Sequence, residues 1–148
     1  MSIAVFFDLG DTLVTSVPTP DNSLQLKALP FVPQILDKLK QTAAAPRLGV
    51  ISNTASLSLA NIRDALAKAK LLDFFDQDLL LFSSVEGIDK KHKELFERAA
   101  KRAGEPANRC VYVGEDEAER KVADSAGLRT SFHALHVFHV LDLMMQGK

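Results

Sequence analysis

The chain has 148 residues, of which 47% are hydrophobic and 25% are charged, and its formal net charge is −1. This length and composition are typical of one domain that buries a core without metals or disulfides as supports, so we expect a single domain over residues 1–148. The near-zero charge argues against nucleic acid or an anionic membrane as a partner.

A single cysteine, Cys110, excludes an internal disulfide and is typical of a reducing compartment. It lies in an apolar run, which favours a small buried hydrophobe. No segment approaches the roughly 20 apolar residues that span a bilayer, and no basic region precedes the first apolar run, as a signal peptide requires. The expected location is therefore the cytoplasm.

Short apolar runs predict buried strands, and apolar residues spaced three or four apart predict amphipathic helices. The predicted strands span residues 3–7, 47–52, 78–83, 109–113 and 128–132. The predicted helices span residues 30–40, 59–69, 94–103, 117–126 and 134–145. Either Asn53 or Thr54 is expected to cap the second helix.

Residues 14–27 contain Pro18, Pro20 and Asn22 and are predicted to be a loop. The remaining strands alternate with helices, which is typical of a parallel sheet covered on both faces. We therefore predict a three-layer α/β/α sandwich around a Rossmann-like parallel sheet of about five strands.

The terminal helix is predicted to pack on this sheet through one face. The side chains expected to be buried are those of Leu135, Phe138, Leu141 and Met145. The side chains expected to stay partly exposed are those of Val137, Val140 and Met144. The exposed set predicts a self-association surface, and hence a homodimer.

Polar residues follow three of the predicted strands at their carboxyl ends, where ligand sites of such sheets form. They are Asp8 and Asp11 after the first strand, Ser52, Asn53 and Thr54 at the second, and Gly114, Glu115, Asp116 and Glu119 beyond the fourth. Lys90, in the run D-K-K-H-K, adds a cation. Since strand ends of a parallel sheet share one edge, we expect these groups to converge.

Clustered carboxylates require a cation among them, and hard oxygen ligands suit Mg²⁺. The Ser52 hydroxyl, the backbone N–H groups around Asn53 at a helix N-terminus, and the Lys90 ammonium suit a phosphoryl group. A carboxylate aimed at phosphorus acts as a covalent nucleophile. The pattern therefore predicts phosphoryl transfer through an aspartyl-phosphate.

Each of these residues also has a purely structural interpretation. Asp8 and Asp11 are common turn residues, and Ser52 is a helix-capping residue type. The run around Lys90 is compatible with a solvated face. Acids such as Glu115 and Asp116 are favoured in the first turn of a helix by its dipole alone.

Four segments resemble the motifs of the haloacid dehalogenase superfamily of hydrolases, in the order and at the strand ends that family uses. They are F-F-D-L-G-D-T-L, L-G-V-I-S-N-T, G-I-D-K-K-H-K-E-L-F and V-Y-V-G-E-D-E-A-E-R. The resemblance covers nearly the whole chain. It implies a Mg²⁺-dependent hydrolase of phosphate esters, acting on a phosphorylated substrate of unknown size.

The resemblance also implies roles for individual residues. Asp8 is the implied nucleophile, and Ser52 and Lys90 the implied phosphate ligands, with Asn53 beside them. The implied Mg²⁺ ligands are Asp8, the carbonyl of Gly10, and either Glu115 or Asp116.

Two departures from the family pattern bear on activity. Gly10 stands where the family's phosphatases usually carry an acid/base Asp, and positioned proton transfer contributes roughly 10²–10⁴-fold to a rate. Whether the adjacent Asp11 replaces it as an acid/base group is left open. The gap between the first two motifs is too short for a cap domain, so an open site is expected.

Three functions are candidates for a chain with these residues. The first is the phosphohydrolase with Asp8 as nucleophile. The second is a catalytically impaired relative that serves as a binding or regulatory module, which Gly10, Glu115 and the absent cap favour. The third is a receiver domain, but its phospho-acceptor follows the third strand, where this chain has Ser83 and Ser84.

Overall fold

The computed structural model describes residues 2–148 and contains seven strands and six α-helices in that range. The strands are Ala4–Phe7 (β1), Val14–Ser16 (β2), Leu26–Ala28 (β3), Arg47–Ser52 (β4), Leu80–Phe82 (β5), Cys110–Val113 (β6) and Arg129–Ser131 (β7). The helices are Val32–Lys40 (α1), Leu59–Lys68 (α2), Ser83–Glu86 (α3), Lys93–Ala103 (α4), Glu117–Ser125 (α5) and Val137–Met145 (α6).

The main sheet has five parallel strands in the order β5-β4-β1-β6-β7. β1 lies at its centre, where Phe7 pairs with Val50 on one side and with Val113 on the other. All four residues of β1 are fully buried, as its unbroken apolar run predicts. Asp8, the next residue, therefore emerges at the middle of the carboxyl edge.

The two faces of the sheet are covered by different helices. Val5 and Phe7 point into a core shared with α1, α2 and α6. Ala4 and Phe6 point into a second core shared with α4 and α5. The predicted three-layer α/β/α fold is confirmed. Between β1 and β4 the chain forms only the β2–β3 hairpin and α1, so no cap domain is inserted there.

The loop predicted over residues 14–27 is wrong at both ends. β2 and β3 form an antiparallel hairpin in which Val14 pairs with Ala28 and Ser16 with Leu26. Pro18 and Pro20 lie in the connection, where they remove no ladder hydrogen bond. Strands of three residues are too short to give a readable alternation, so only the connection had a sequence signal.

Two other boundaries differ from the prediction. Neither Asn53 nor Thr54 caps α2, because the helix starts at Leu59 and the Ser58 hydroxyl accepts the Asn61 N–H at 3.1 Å. The strand predicted over residues 78–83 is confined to β5, since Ser83 already begins α3.

The burial predicted for the terminal helix is wrong for most of its side chains. Val137, Val140 and Met144 are buried, whereas Leu135 and Met145 are 59% and 43% exposed. The helix begins at Val137, so Leu135 lies in the preceding turn and follows no helical spacing. The predicted self-association surface is therefore not exposed. No helix within residues 2–148 is long and apolar enough to cross a membrane.

Candidate active site

The Lys90 ammonium lies at the centre of a buried polar cluster, with the side chain only 3% exposed. Its Nζ lies 2.8 Å from Asp8 Oδ1, 2.6 Å from Glu119 Oε2 and 3.2 Å from Tyr112 Oη. An ammonium has three N–H donors, and each has one acceptor here. A solvated-face interpretation is therefore wrong for Lys90.

Each member of this cluster comes from a different part of the fold. Asp8 follows the central strand β1, Tyr112 lies on the adjacent β6, and Glu119 lies in the first turn of α5. Lys90 lies in the loop between α3 and α4, where its backbone N–H donates to Asn53 Oδ1 at 3.0 Å. The sheet edge thus brings together groups that are far apart in the chain.

The two carboxylate oxygens of Asp8 have different surroundings. Oδ1 accepts hydrogen bonds from Lys90 Nζ and from the Leu9 N–H, both at 2.8 Å. Oδ2 accepts none from residues 2–148. Burial raises the pKa of Asp8, and this outweighs the lowering by the charge and hydrogen bond of Lys90. Lys90 thus opposes the protonation that burial favours, and Oδ2 is free to react or bind a ligand.

Tyr112 is fully buried and bridges Lys90 and Glu119. Its hydroxyl donates to Glu119 Oε2 at 3.0 Å and accepts from Lys90 Nζ. Burial, assisted by the charges of Asp8 and Glu119, raises the pKa of Tyr112 far above its usual range. The phenol therefore remains a protonated donor.

The Tyr112 ring is fixed from two sides. It packs edge-on against Phe96, with ring centroids 5.0 Å apart. A Cβ built on Gly114 would lie only 2.7 Å from Tyr112 Oη, so glycine is needed there. Sequence reasoning missed Tyr112 and treated Glu119 only as one further carboxylate. A tyrosine in an apolar strand was the available signal, because a buried hydroxyl needs a partner.

Two of the predicted phosphate-binding residues, Ser52 and Asn53, lie at the end of β4 and directly after it. Ser52 is buried, and its Oγ contacts only the Asn53 carbonyl, at 3.5 Å, so the hydroxyl is weakly held. Ser52 caps no helix, since Ser58 caps α2. The prediction that the Asn53 turn lies at a helix N-terminus is wrong, because residues 54–58 separate Asn53 from Leu59, the first residue of α2.

Asp116 and Glu115 are distinguished by their contacts. Asp116 Oδ1 accepts the Glu119 N–H at 3.1 Å and caps α5. The Glu115 side chain is exposed and forms no hydrogen bond or ion pair within residues 2–148. Arg120 donates to the carbonyls of Gly114 and Glu115 at 2.8 and 2.7 Å, which fixes this turn. Both Glu115 carboxylate oxygens are thus unpaired within residues 2–148, whereas one Asp116 oxygen is engaged in the helix cap.

Gly10 and Asp11 complete the turn after β1. The Gly10 carbonyl accepts no hydrogen bond from residues 2–148, and a Cβ on Gly10 would meet no atom within 4 Å. Asp11 is exposed in a left-handed conformation, with φ of 60° and its N–H bonded to the Val14 carbonyl at 2.8 Å. Its side chain makes no hydrogen bond or ion pair to Asp8 or Lys90.

The free oxygen donors suit one kind of metal. Within residues 2–148 no three His, Cys, Asp or Glu side chains form a ready-made metal cage. The available donors are Asp8 Oδ2, the Gly10 carbonyl and the Glu115 carboxylate. Mg²⁺ commonly uses one or two carboxylates, several waters and substrate phosphates in place of an all-protein cage. The donor set therefore fits Mg²⁺.

A family model and a protein of known activity both match the sequence of this chain. The family model of haloacid dehalogenase-like hydrolases matches residues 23–127. The pyrimidine 5'-nucleotidase YjjG of Escherichia coli is 32% identical over 110 residues, which cover 73% of this chain and 45% of that protein. The chain thus spans less than half the length of that relative.

Similar solved structures share the fold at low sequence identity. An uncharacterized protein from Listeria monocytogenes serotype 4b has a TM-score of 0.81 and 19% identity, over 97% of this chain and 99% of that one. The HAD phosphatase from Thermococcus onnurineus has a TM-score of 0.71 and 15% identity, over 95% and 98%. With the family match over most of its length, this chain belongs to the haloacid dehalogenase-like hydrolases.

Proposed function

We propose that the protein is a Mg²⁺-dependent phosphohydrolase that forms an aspartyl-phosphate on Asp8. The observation that carries this proposal is the asymmetry of the Asp8 carboxylate. Oδ1 is bonded by Lys90 and Leu9, while Oδ2 has no partner within residues 2–148. One oxygen is therefore fixed and the other is available for attack on phosphorus. The nucleotidase among the relatives supports phosphate-ester chemistry.

The other predicted residues have roles that agree with their contacts. Ser52 offers a weakly held hydroxyl to a phosphoryl oxygen. Lys90 orients Asp8, and it binds a phosphoryl oxygen only by giving up one of its three acceptors. Mg²⁺, held by Asp8, the Gly10 carbonyl and Glu115, would neutralise charge on the phosphoryl group.

A second candidate is a binding or regulatory module with little turnover. The observation in its favour is Gly10, which supplies no side chain to transfer a proton. Such a module retains Mg²⁺ and phosphate binding but hydrolyses no phosphate ester.

The test compares Asp8→Asn with its near neighbour Asp11→Asn on 4-nitrophenyl phosphate with Mg²⁺. We expect Asp8→Asn to lose at least about 10³-fold in kcat, because the nucleophile is gone. Asp11→Asn alters a carboxylate only three residues after Asp8. Its kcat is expected to stay within about threefold of the wild type, since the Asp11 side chain contacts neither Asp8 nor Lys90. Equal rates for the wild type and Asp8→Asn would contradict the proposal. Mg²⁺ binding by calorimetry without turnover would favour the module.

A further inference from the structure

A cleft opens between the turn that follows Asp8, the end of β4 and the β2–β3 hairpin. Its walls include Leu9 and Gly10, Ser52 and Asn53, and the hairpin residues Leu24 and Leu26. The cleft has a volume of about 170 Å³. Leu9 and Gly10 directly follow Asp8, and Asn53 is hydrogen-bonded to the backbone of Lys90. One wall of the cleft is therefore linked to Asp8 through the chain, and the other is linked to Lys90 through a hydrogen bond.

The lining of this hairpin cleft contains no charged residue. Leucine, valine and isoleucine side chains dominate it, and Ser16, Ser52, Asn53 and Thr54 supply the polar atoms. A charged group would lose its hydration here without gaining a partner. An apolar cavity of about 150 Å³ is known to hold benzene, so this volume suits one uncharged ring.

The same cleft offers no acid to the leaving oxygen. Gly10 faces the cleft without a side chain, and Asp11 is not among the lining residues. An alkoxide leaving group is a strong base whose conjugate acid is about as weak as water, so it needs a proton to depart. A phenolate, with a pKa of about 10 or lower, departs as an anion far more readily.

Building on the function proposed above, we propose that the substrate is a phosphate monoester of a phenol or enol that carries one small uncharged ring. The ring occupies the hairpin cleft. Asp8 Oδ2 forms a bond to phosphorus, the bond from phosphorus to the leaving oxygen breaks, and its electron pair departs as the phenolate or enolate. Water then attacks phosphorus, which releases the Asp8 carboxylate and dihydrogen phosphate, so neither step requires a proton from Gly10.

The first test compares phenyl phosphate with benzyl phosphate, which carry the same ring but leave as a phenolate and an alkoxide. We expect kcat/KM to be at least about 10²-fold higher for phenyl phosphate, since no acid assists the alkoxide. Gly10→Asp, whose new side chain enters open space, is expected to narrow this ratio at least tenfold by accelerating benzyl phosphate. Gly10→Asn, with the same shape and no acid, is expected to leave the ratio unchanged.

The second test fills the cleft. Leu26→Trp is expected to raise KM for phenyl phosphate about tenfold. The KM for acetyl phosphate, which has a good leaving group in acetate and carries no ring, is expected to stay within about twofold. Lys27→Trp is the matched control, because Lys27 lies on the same strand outside the cleft. Lys27→Trp is expected to change the KM for neither phenyl phosphate nor acetyl phosphate.

These experiments distinguish a failure of the substrate inference from a failure of the proposed phosphohydrolase function. Hydrolysis that survives Asp8→Asn, or no hydrolysis of any of these phosphates, overturns both. Hydrolysis that requires Asp8 but proceeds equally on phenyl and benzyl phosphate overturns only the leaving-group inference. Equal losses on phenyl and acetyl phosphate in Leu26→Trp overturn the assignment of the ring to the cleft.

Discussion

Lys90 Nζ lies 2.6 Å from Glu119 Oε2, and the same ammonium also contacts Asp8. One cation thus separates two carboxylates whose side chains are only 23% and 14% exposed. The cluster carries one more negative than positive charge when both acids are ionised. This excess favours a bound cation near Asp8.

Removing this cation is expected to destabilise the fold. Lys90→Met keeps most of the side-chain volume but leaves two partly buried carboxylates without their cation, so the free energy of unfolding is expected to fall by about 3 kcal/mol. Lys68→Met removes a pair with Asp64 in which both side chains are more than half exposed, and its expected loss is below about 0.5 kcal/mol. Urea denaturation of both variants checks this. Equal losses would mean that the Lys90 cluster contributes no more than a surface pair.

Gly114 is expected to tolerate no larger residue while Tyr112 keeps its hydroxyl. Gly114→Ala places a Cβ 2.7 Å from Tyr112 Oη, and the overpacking should cost about 1–3 kcal/mol of stability. Gly10→Ala, where the Cβ meets no atom within 4 Å, is the control and should lie within about 1 kcal/mol of the wild type.

Tyr112→Phe tests the cause of the Gly114 effect. It removes the atom nearest to the new Cβ while the ring stays against Phe96. The double variant should therefore lose less stability than the two single variants together. Strict additivity in thermal unfolding would show that the Tyr112 hydroxyl is not the obstacle.

Glu86 is expected to contribute stability that depends on pH. Burial alone would raise its pKa, but hydrogen bonds and charges of Arg102 and Arg98 lower it below the ordinary value of 4.5. A carboxyl whose pKa is depressed in the folded state stabilises above its unfolded pKa and loses this contribution as pH falls through the folded value.

The measurement compares wild type and Glu86→Gln by urea denaturation. The free energy of unfolding of the wild type should exceed that of the variant by about 1 kcal/mol near pH 7, since the arginines are partly exposed, and this difference should shrink as the pH is lowered below 4.5. Glu97→Gln is the control, because Glu97 contacts the exposed Lys93 only at 3.9 Å. A Glu86 difference that stays constant with pH would refute the linkage.

The Cys110 thiol is expected to be inert in the folded protein. It is buried, and burial, with a smaller effect of Glu105, raises its pKa to about 11. At about pH 8 only a small fraction is thiolate, the form that reacts with a disulfide reagent. Ellman's reagent should therefore detect one thiol per chain only after the protein has been unfolded in guanidinium. Rapid reaction of the native protein would contradict the burial.

Much of the fold could be predicted because its strands are buried on both faces. The strands that end at Phe7, Ser52 and Val113 are buried along nearly their whole length, and Asp8, Asn53 and Glu115 follow them within two residues. The β2–β3 hairpin was not predictable in this way, because its strands have three residues each and are only partly buried.

The terminal helix shows a different limit. Two alternative sets of apolar residues could form its buried face. The residue at which the helix begins, Val137, determines which set is buried. In the structure the buried residues are Val137, Val140, Leu141 and Met144, which follow the spacing of one helical face. The alternative set includes Leu135, which precedes the helix.

For the site, Asp8 and Lys90 were predicted from motif order, and the structure brings these two into contact. Glu115 and Asp116 differ by the capping hydrogen bond of Asp116, which sequence spacing alone does not reveal. Tyr112 was hidden because it occupies a buried strand position, where its ring satisfies the apolar pattern and its hydroxyl does not.

The central position of β1 has a consequence for how the chain is made. β1 is synthesised first, and its partner β4 follows, but β6 emerges only when residues 110–113 have been translated. Until then a fully apolar strand keeps one edge unpaired, and such edges promote aggregation. Tyr112 and Glu119 arrive with or just after β6, so completion of the sheet and completion of the polar cluster coincide. Shortened chains that end before Cys110 should therefore accumulate as insoluble material and not as a folded protein with an incomplete site.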